Sequence, residues 1–145
     1  TMQNGIIDLK INLSEVLRIF LLSVPAVTGI ANIMLANNIC DMEDDLENRR
    51  YTQPIYIGRE KALTLFKILY YAAFAVILIS AASGLVPEAS LLVLAAFIPV
   101  RKNIGRFMEL QTKKDTFSYS VQNFALMNLL LILGIASTIL GGLIL

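Results

Sequence analysis

The stretch IFLLSVPAVTGIANIMLA, Ile19 to Ala36, runs for 18 residues without a charge and passes directly into NNICDMEDDLENRR, Asn37 to Arg50. A hydrocarbon core is crossed by about 20 apolar residues in helical form. The stretch therefore reads as a membrane-crossing helix that ends in a block of carboxylates. Two more uncharged runs follow, Ile68 to Pro87 and Val121 to Leu145. A weaker one, Ala89 to Val100, has 12 residues before Arg101. It crosses only if Arg101, Lys102 and Arg106 snorkel to the interface or line the protein interior. The fold class is all-α, a polytopic transmembrane bundle of about four helices near residues 14–40, 62–83, 89–107 and 121–144. The segment 41–61 is expected to be a loop. Buried helices of a soluble core are a poor account of three such runs in 145 residues. A cleaved signal fits no better, because Asp8, Lys10 and Glu15 precede the first run.

Composition points the same way. Hydrophobic residues make up 57% and charged residues 16%, against about 45–50% and about 25% in soluble domains. Mean hydropathy is +0.70. A net charge of +1 gives no ground for a nucleic-acid partner. With one cysteine and no histidine, the chain builds no internal disulfide framework, zinc cluster or Ser-His triad. Its chemistry is left to carboxylates, amides and basic groups.

Basic residues set the orientation. Arg49, Arg50, Arg59 and Lys61 lie between the first two runs, and Arg101, Lys102, Arg106, Lys113 and Lys114 lie before the last. The connection Gly84 to Glu88 and the C-terminus carry none. The positive-inside rule puts both basic segments, 41–61 and 101–115, in the cytosol of an integral protein of the cell membrane. The second basic group is read first as obeying that rule, with a contribution to a phosphate-binding pocket as the alternative. Pro25 and Gly29 are expected to kink the first helix, and Asn123 and Asn128 to hydrogen-bond between helices.

Five carboxylates fall within the seven positions from Asp41 to Glu47. If the helix continues past the membrane surface, Asn37, Asp41 and Asp45 recur every four residues on one face. A helix C-terminus carries partial negative charge, so carboxylates there need a cation. Lys or Arg would serve, and so would a hard divalent metal. Mg²⁺ is favoured, since it takes a few carboxylates and completes its shell with water and substrate phosphate. The plainer alternative is a solvated acidic loop balanced by Arg49 and Arg50. Glu43 and Asp44 point off the shared face and read as solvated. No DDxxD is present, because Asp44-Asp45-Leu46-Glu47-Asn48 ends in Asn, and there is no Walker-type glycine loop.

The order Asn37-x3-Asp41-x3-Asp45, then Asn48-Arg49-Arg50-Tyr51-Thr52 and Ile57-Gly58-Arg59-Glu60-Lys61-Ala62, resembles the second aspartate-rich motif and following loop of the UbiA superfamily of intramembrane prenyltransferases. Within it, the pattern is most similar to the branch that prenylates 1,4-dihydroxy-2-naphthoate in menaquinone biosynthesis. The resemblance implies Mg²⁺-dependent transfer of an isoprenyl group from an isoprenyl diphosphate to an aromatic acid. It implies Asp41 and Asp45 as catalytic groups, and Asn37, Asp41 and Asp45 as metal ligands or the groups that orient them. Arg49, Arg50 and Asn38 would bind substrate. Cys40 stands where the family stretch carries a basic residue. Family members have about nine membrane helices and two such motifs, so the chain is expected to be the C-terminal half, with the N-terminal half of the same enzyme and the lipid bilayer as its partners. The reading that competes with this one is a small non-catalytic membrane subunit or transporter fragment whose acidic loop pairs with basic partners.

Overall fold

The computed structural model describes residues 12–144; Asp8 and Lys10 lie outside the described residues. Every regular element among the described residues is helical: α1 (Leu13–Cys40), α2 (Met42–Glu47), α3 (Gln53–Ile57), α4 (Arg59–Ala82), the 3-10 helix η1 (Glu88–Ala96), α5 (Phe97–Glu109) and α6 (Ser118–Ile144). Three helices are long and apolar enough to cross a membrane: Leu13–Cys40, Arg59–Ala82 and Ser118–Gly141. The chain is an all-α bundle of membrane-crossing helices.

Each long helix starts and stops for local reasons. Asn12 caps α1 by accepting from the Ser14 amide at 3.1 Å, which satisfies one of the free N–H groups of the first turn. The helix then runs unbroken through Pro25 to Cys40. Its buried residues, Pro25, Gly29, Asn32, Leu35, Ala36 and Ile39, keep the spacing of three and four that puts them on one face. In α4 the buried stripe is Ala62, Phe66, Tyr70, Ala73 and Ile77. Phe66 stands edge-on to Tyr70 at 5.2 Å and packs on Phe107 at 4.6 Å, within the range that favours aromatic pairs. Large apolar side chains such as Ile79, Ile98 and Ile132 stay exposed on the outside. Lipid accepts that surface where water would not. Between helices in a bilayer, close packing rather than transfer from water supplies the attraction.

The fourth expected helix, 89–107, takes a different form. It is 3-10 from Glu88 to Ala96 and α-helical from Phe97 to Glu109. The buried residues register the change: Ser90, Val93 and Ala96 recur every three, then Val100, Ile104 and Phe107 at four and three. A 3-10 helix has three residues per turn and rises about 2.0 Å per residue against 1.5 Å in an α-helix. A short apolar run therefore reaches further through the bilayer. This segment runs antiparallel to α6. At one end, a Cβ on Gly134 would collide with the Ala89 carbonyl. Further along, Asn103 Nδ2 donates to Asn123 Oδ1 at 2.8 Å, and then Arg106 Nη1 to the Tyr119 hydroxyl at 3.3 Å. Arg101, Lys102 and Arg106 all lie on the exposed side of α5, so they reach outward rather than line the interior. Of the two expected interhelical amides, Asn123 bridges to α5, while Asn128 donates to Phe124 in its own helix.

Candidate functional site

The expected loop 41–61 is mostly helix, and its shape follows from how α1 ends. The Asp41 amide still donates to the Asn37 carbonyl at 3.1 Å, and the Asp45 amide to the Asp41 carbonyl at 2.8 Å. Asp41 itself sits at φ −95°, ψ 4°, outside the helical well. The helix therefore steps once at Asp41 and resumes as α2. That step separates the two carboxylates that an unbroken helix would have stacked.

Asp41 turns to a cavity of about 390 Å³ lined by Cys40, Asp41, Glu43, Asp44, Arg59, Gln111, Thr112 and Lys113. Its Oδ2 receives the Asn37 side-chain amide at 3.2 Å and the Lys113 ammonium at 2.6 Å. The Asp41 side chain is 19% exposed and that of Lys113 54%. Arg59 spans the same wall, with Nη2 on Glu43 Oε1 at 3.3 Å and Nη1 on Gln111 Oε1 at 3.5 Å. Gln111 is itself fixed, since its amide donates to the Phe107 and Met108 carbonyls at 2.9 and 2.8 Å. The hydrogen bond to Asp41 raises Lys113 above the ordinary lysine value of 10.5; loss of water opposes this, and the Asp41 charge adds to it. A cation with a raised value keeps its contact below the lysine range and loses it as pH climbs through that range. The pair is thus intact at neutral pH.

Asp45 faces elsewhere. It is buried, 8% exposed, and accepts from the Thr52 hydroxyl at 3.3 Å. The backbone explains the burial. The Arg50 amide donates to the Asp45 carbonyl at 2.7 Å and the Arg49 amide to the Leu46 carbonyl at 3.2 Å. This is the paired closure of a Schellman motif, with Arg49 at φ 56° in the left-handed position usually held by glycine. The chain doubles back there and brings Thr52 against Asp45.

The sequence-derived residues thus separate into groups. Asn37 and Asp41 are in contact, Asp45 belongs to the turn, and Asn38 is half-buried beside them on α1. Arg49 and Arg50 are exposed and stay off the cavity wall. Glu43 and Asp44, expected to be merely solvated, are exposed but line the cavity with Asp41. No group of three Asp, Glu, Cys or His side chains among the described residues is preassembled for a metal. The cations on the wall are Arg59 and Lys113. Arg59 lay inside the Ile-Gly-Arg pattern without an assigned role. Lys113 is one of five basic residues read first as obeying a topological rule and only secondarily as phosphate-facing, and nothing in its local sequence marks it out from the other four.

The fit of Mg²⁺ rests on donor chemistry. Hard carboxylate oxygens face the cavity, and Mg²⁺ is commonly bound through one or two carboxylates with water and substrate phosphate completing its shell. Asp41, with either Glu43 or Asp44 beside it, would supply that number without a prebuilt cage. Arg59 and Lys113 add positive charge of the kind that binds phosphate.

Comparison with known proteins bears on this arrangement. The model of the UbiA prenyltransferase family matches residues 3–130. No curated protein and no solved structure matches significantly. The match covers most of the chain, so the chain belongs to the UbiA prenyltransferase family, whose general function is prenyl transfer, and is an integral membrane protein.

Proposed function

We propose that this UbiA-family chain contributes the Asp41 cavity to an Mg²⁺-dependent transfer of an isoprenyl group from an isoprenyl diphosphate to an aromatic acid, with 1,4-dihydroxy-2-naphthoate as the acceptor. The observation that carries the reading is the cavity at the end of a membrane-crossing helix, where Asp41, Glu43 and Asp44 face Arg59 and Lys113. The menaquinone branch is supported by the order Asn37-x3-Asp41-x3-Asp45 followed by Thr52 and Ile57-Gly58-Arg59. By this reading the cavity and the segments 41–61 and 101–115 face the cytosol of the cell membrane, with the prenyl chain held in the apolar bundle.

Mg²⁺, when bound, supplies the charge neutralisation that makes diphosphate a leaving group. Asp41 would hold the metal, and Asn37, donating to Asp41 Oδ2, orients that carboxylate. Asp45 positions the helix end through Thr52, and Asn38, Arg49 and Arg50, which do not line the cavity, are assigned to the substrate by the family resemblance. Arg59 offers a planar fork that suits diphosphate oxygens. The allylic C–O bond breaks and diphosphate departs. The ring carbon then forms the new C–C bond and gives up its carboxyl group as CO₂. No protein nucleophile takes part, which suits a chain without histidine.

The test is transfer of an isoprenyl group to 1,4-dihydroxy-2-naphthoate by membranes containing the complete polypeptide. Activity is expected to need Mg²⁺ and to disappear in Asp41→Ala while membrane insertion persists. Full activity in Asp41→Ala and Asp45→Ala, or in excess chelator, overturns the reading.

A further inference from the structure

The turn between α5 and α6 does more than connect them. It is a built feature: the Thr112 amide donates to Thr116 Oγ1 at 3.0 Å, and the Thr112 hydroxyl to Asp115 Oδ2 at 2.9 Å. Gln111 is anchored to the end of α5. From this fixed base the half-exposed Lys113 side chain reaches across to Asp41 Oδ2. The backbone is held, and the flexible stem is free to swing. An ammonium 2.6 Å from a carboxylate oxygen repels a dication brought to the same carboxylate, because like charges a few ångströms apart interact strongly near a protein surface.

We propose that Lys113 is an exchangeable cation: it neutralises Asp41 when the divalent metal is away, and moves to the diphosphate oxygens when metal and diphosphate arrive together. This rests on the metal reading of Asp41 given above. Arg59, tied to both Glu43 and Gln111, stays in place, so the exchange is confined to one side chain. The consequence is opposite signs for one substitution. Without Lys113 the metal alone gains affinity, because a competing cation is gone. The metal–diphosphate complex loses affinity, because a charge-assisted contact is gone. A merely structural lysine, or one that only follows membrane topology, moves neither affinity in this way.

The experiment uses the complete polypeptide in detergent. Mn²⁺ binding is followed by the electron paramagnetic resonance signal of free Mn²⁺, and inorganic diphosphate binding in saturating Mg²⁺ by calorimetry. Lys113→Met is expected to tighten Mn²⁺ roughly two- to fivefold, the scale of an exposed ion pair. It is expected to weaken diphosphate about tenfold, the scale of a hydrogen bond to a charged group. Lys113→Arg should restore the second affinity, and Lys114→Met should leave both unchanged. If Asp41→Asn abolishes Mn²⁺ binding but Lys113→Met changes neither affinity, or only one, the exchange is overturned and the metal site stands. If Asp41→Asn leaves Mn²⁺ binding intact, the metal reading falls and the exchange falls with it.

Discussion

Asp41 and Asp45 occupy equivalent places in a four-residue repeat, yet the surroundings of Asp41 are those of a cavity wall and the surroundings of Asp45 are those of a turn. Asp41 opens onto a cavity and meets a lysine from a segment far along the chain. Asp45 is buried within its own turn and meets a threonine seven residues on. The difference comes from backbone, not from side-chain chemistry. One residue outside the helical well at Asp41 and one left-handed residue at Arg49 turn the two carboxylates apart. Spacing alone therefore says which groups are candidates for a metal, while the caps decide which of them faces the cavity.

The sharpest way to break this contrast is to remove charge and keep shape. Asp41→Asn is expected to lower prenyl transfer by at least about 100-fold, beyond the 10–100-fold typical of groups that only orient a ligand. Asp45→Asn, which still accepts from Thr52, should stay within about tenfold of the parent. Equal losses in the two variants would mean that both carboxylates hold the metal. Truncation separates them differently. Asp45→Ala leaves only the half-buried Thr52 hydroxyl without its partner, at about 1 kcal/mol, the net worth of one hydrogen bond, measured as a lower unfolding midpoint in detergent. Thr52→Val should cost more, about 1–3 kcal/mol, because it leaves the buried Asp45 carboxyl without its hydroxyl donor. Combined with Asp45→Ala it should add almost nothing, because both changes remove the same contact.

How far the sequence carries depends on which interactions shape each part. The long helices were legible because their apolar runs exceed what a soluble fold uses, and the bounds 14–40, 62–83 and 121–144 can be set beside Leu13–Cys40, Arg59–Ala82 and Ser118–Ile144. The segment after Pro87 was harder. Its 3-10 spacing of Ser90, Val93 and Ala96 is too brief to stand out in so apolar a run. The close approach that accompanies it lies at Gly134, far away in sequence. At the site, local chemistry announced Asn37 and Asp41. Lys113 and Gln111 enter only through the fold, which returns the chain to the first helix after two further crossings. Glu43 and Asp44 were read as solvated, and both are exposed; what local sequence did not show is that they also border the cavity, whose far wall is Gln111, Thr112 and Lys113.

Arg49 gives the smallest effect and the finest discrimination. A non-glycine residue in the left-handed region costs roughly 1–2 kcal/mol, and glycine removes that strain while adding freedom to the unfolded chain. Arg49→Gly should therefore raise stability by no more than about 1 kcal/mol, seen as a small upward shift of the unfolding midpoint, with the turn and Asp45 undisturbed. Mn²⁺ binding at Asp41 should not change, since Arg49 is off that wall. Transfer activity then reports the side chain alone. If it falls while stability rises, the guanidinium reaches the diphosphate from the rim, and the strain at φ 56° is kept for that contact. If activity and metal binding both hold, Arg49 serves the turn only, and the phosphate-facing charge of this site belongs to Arg59 and Lys113.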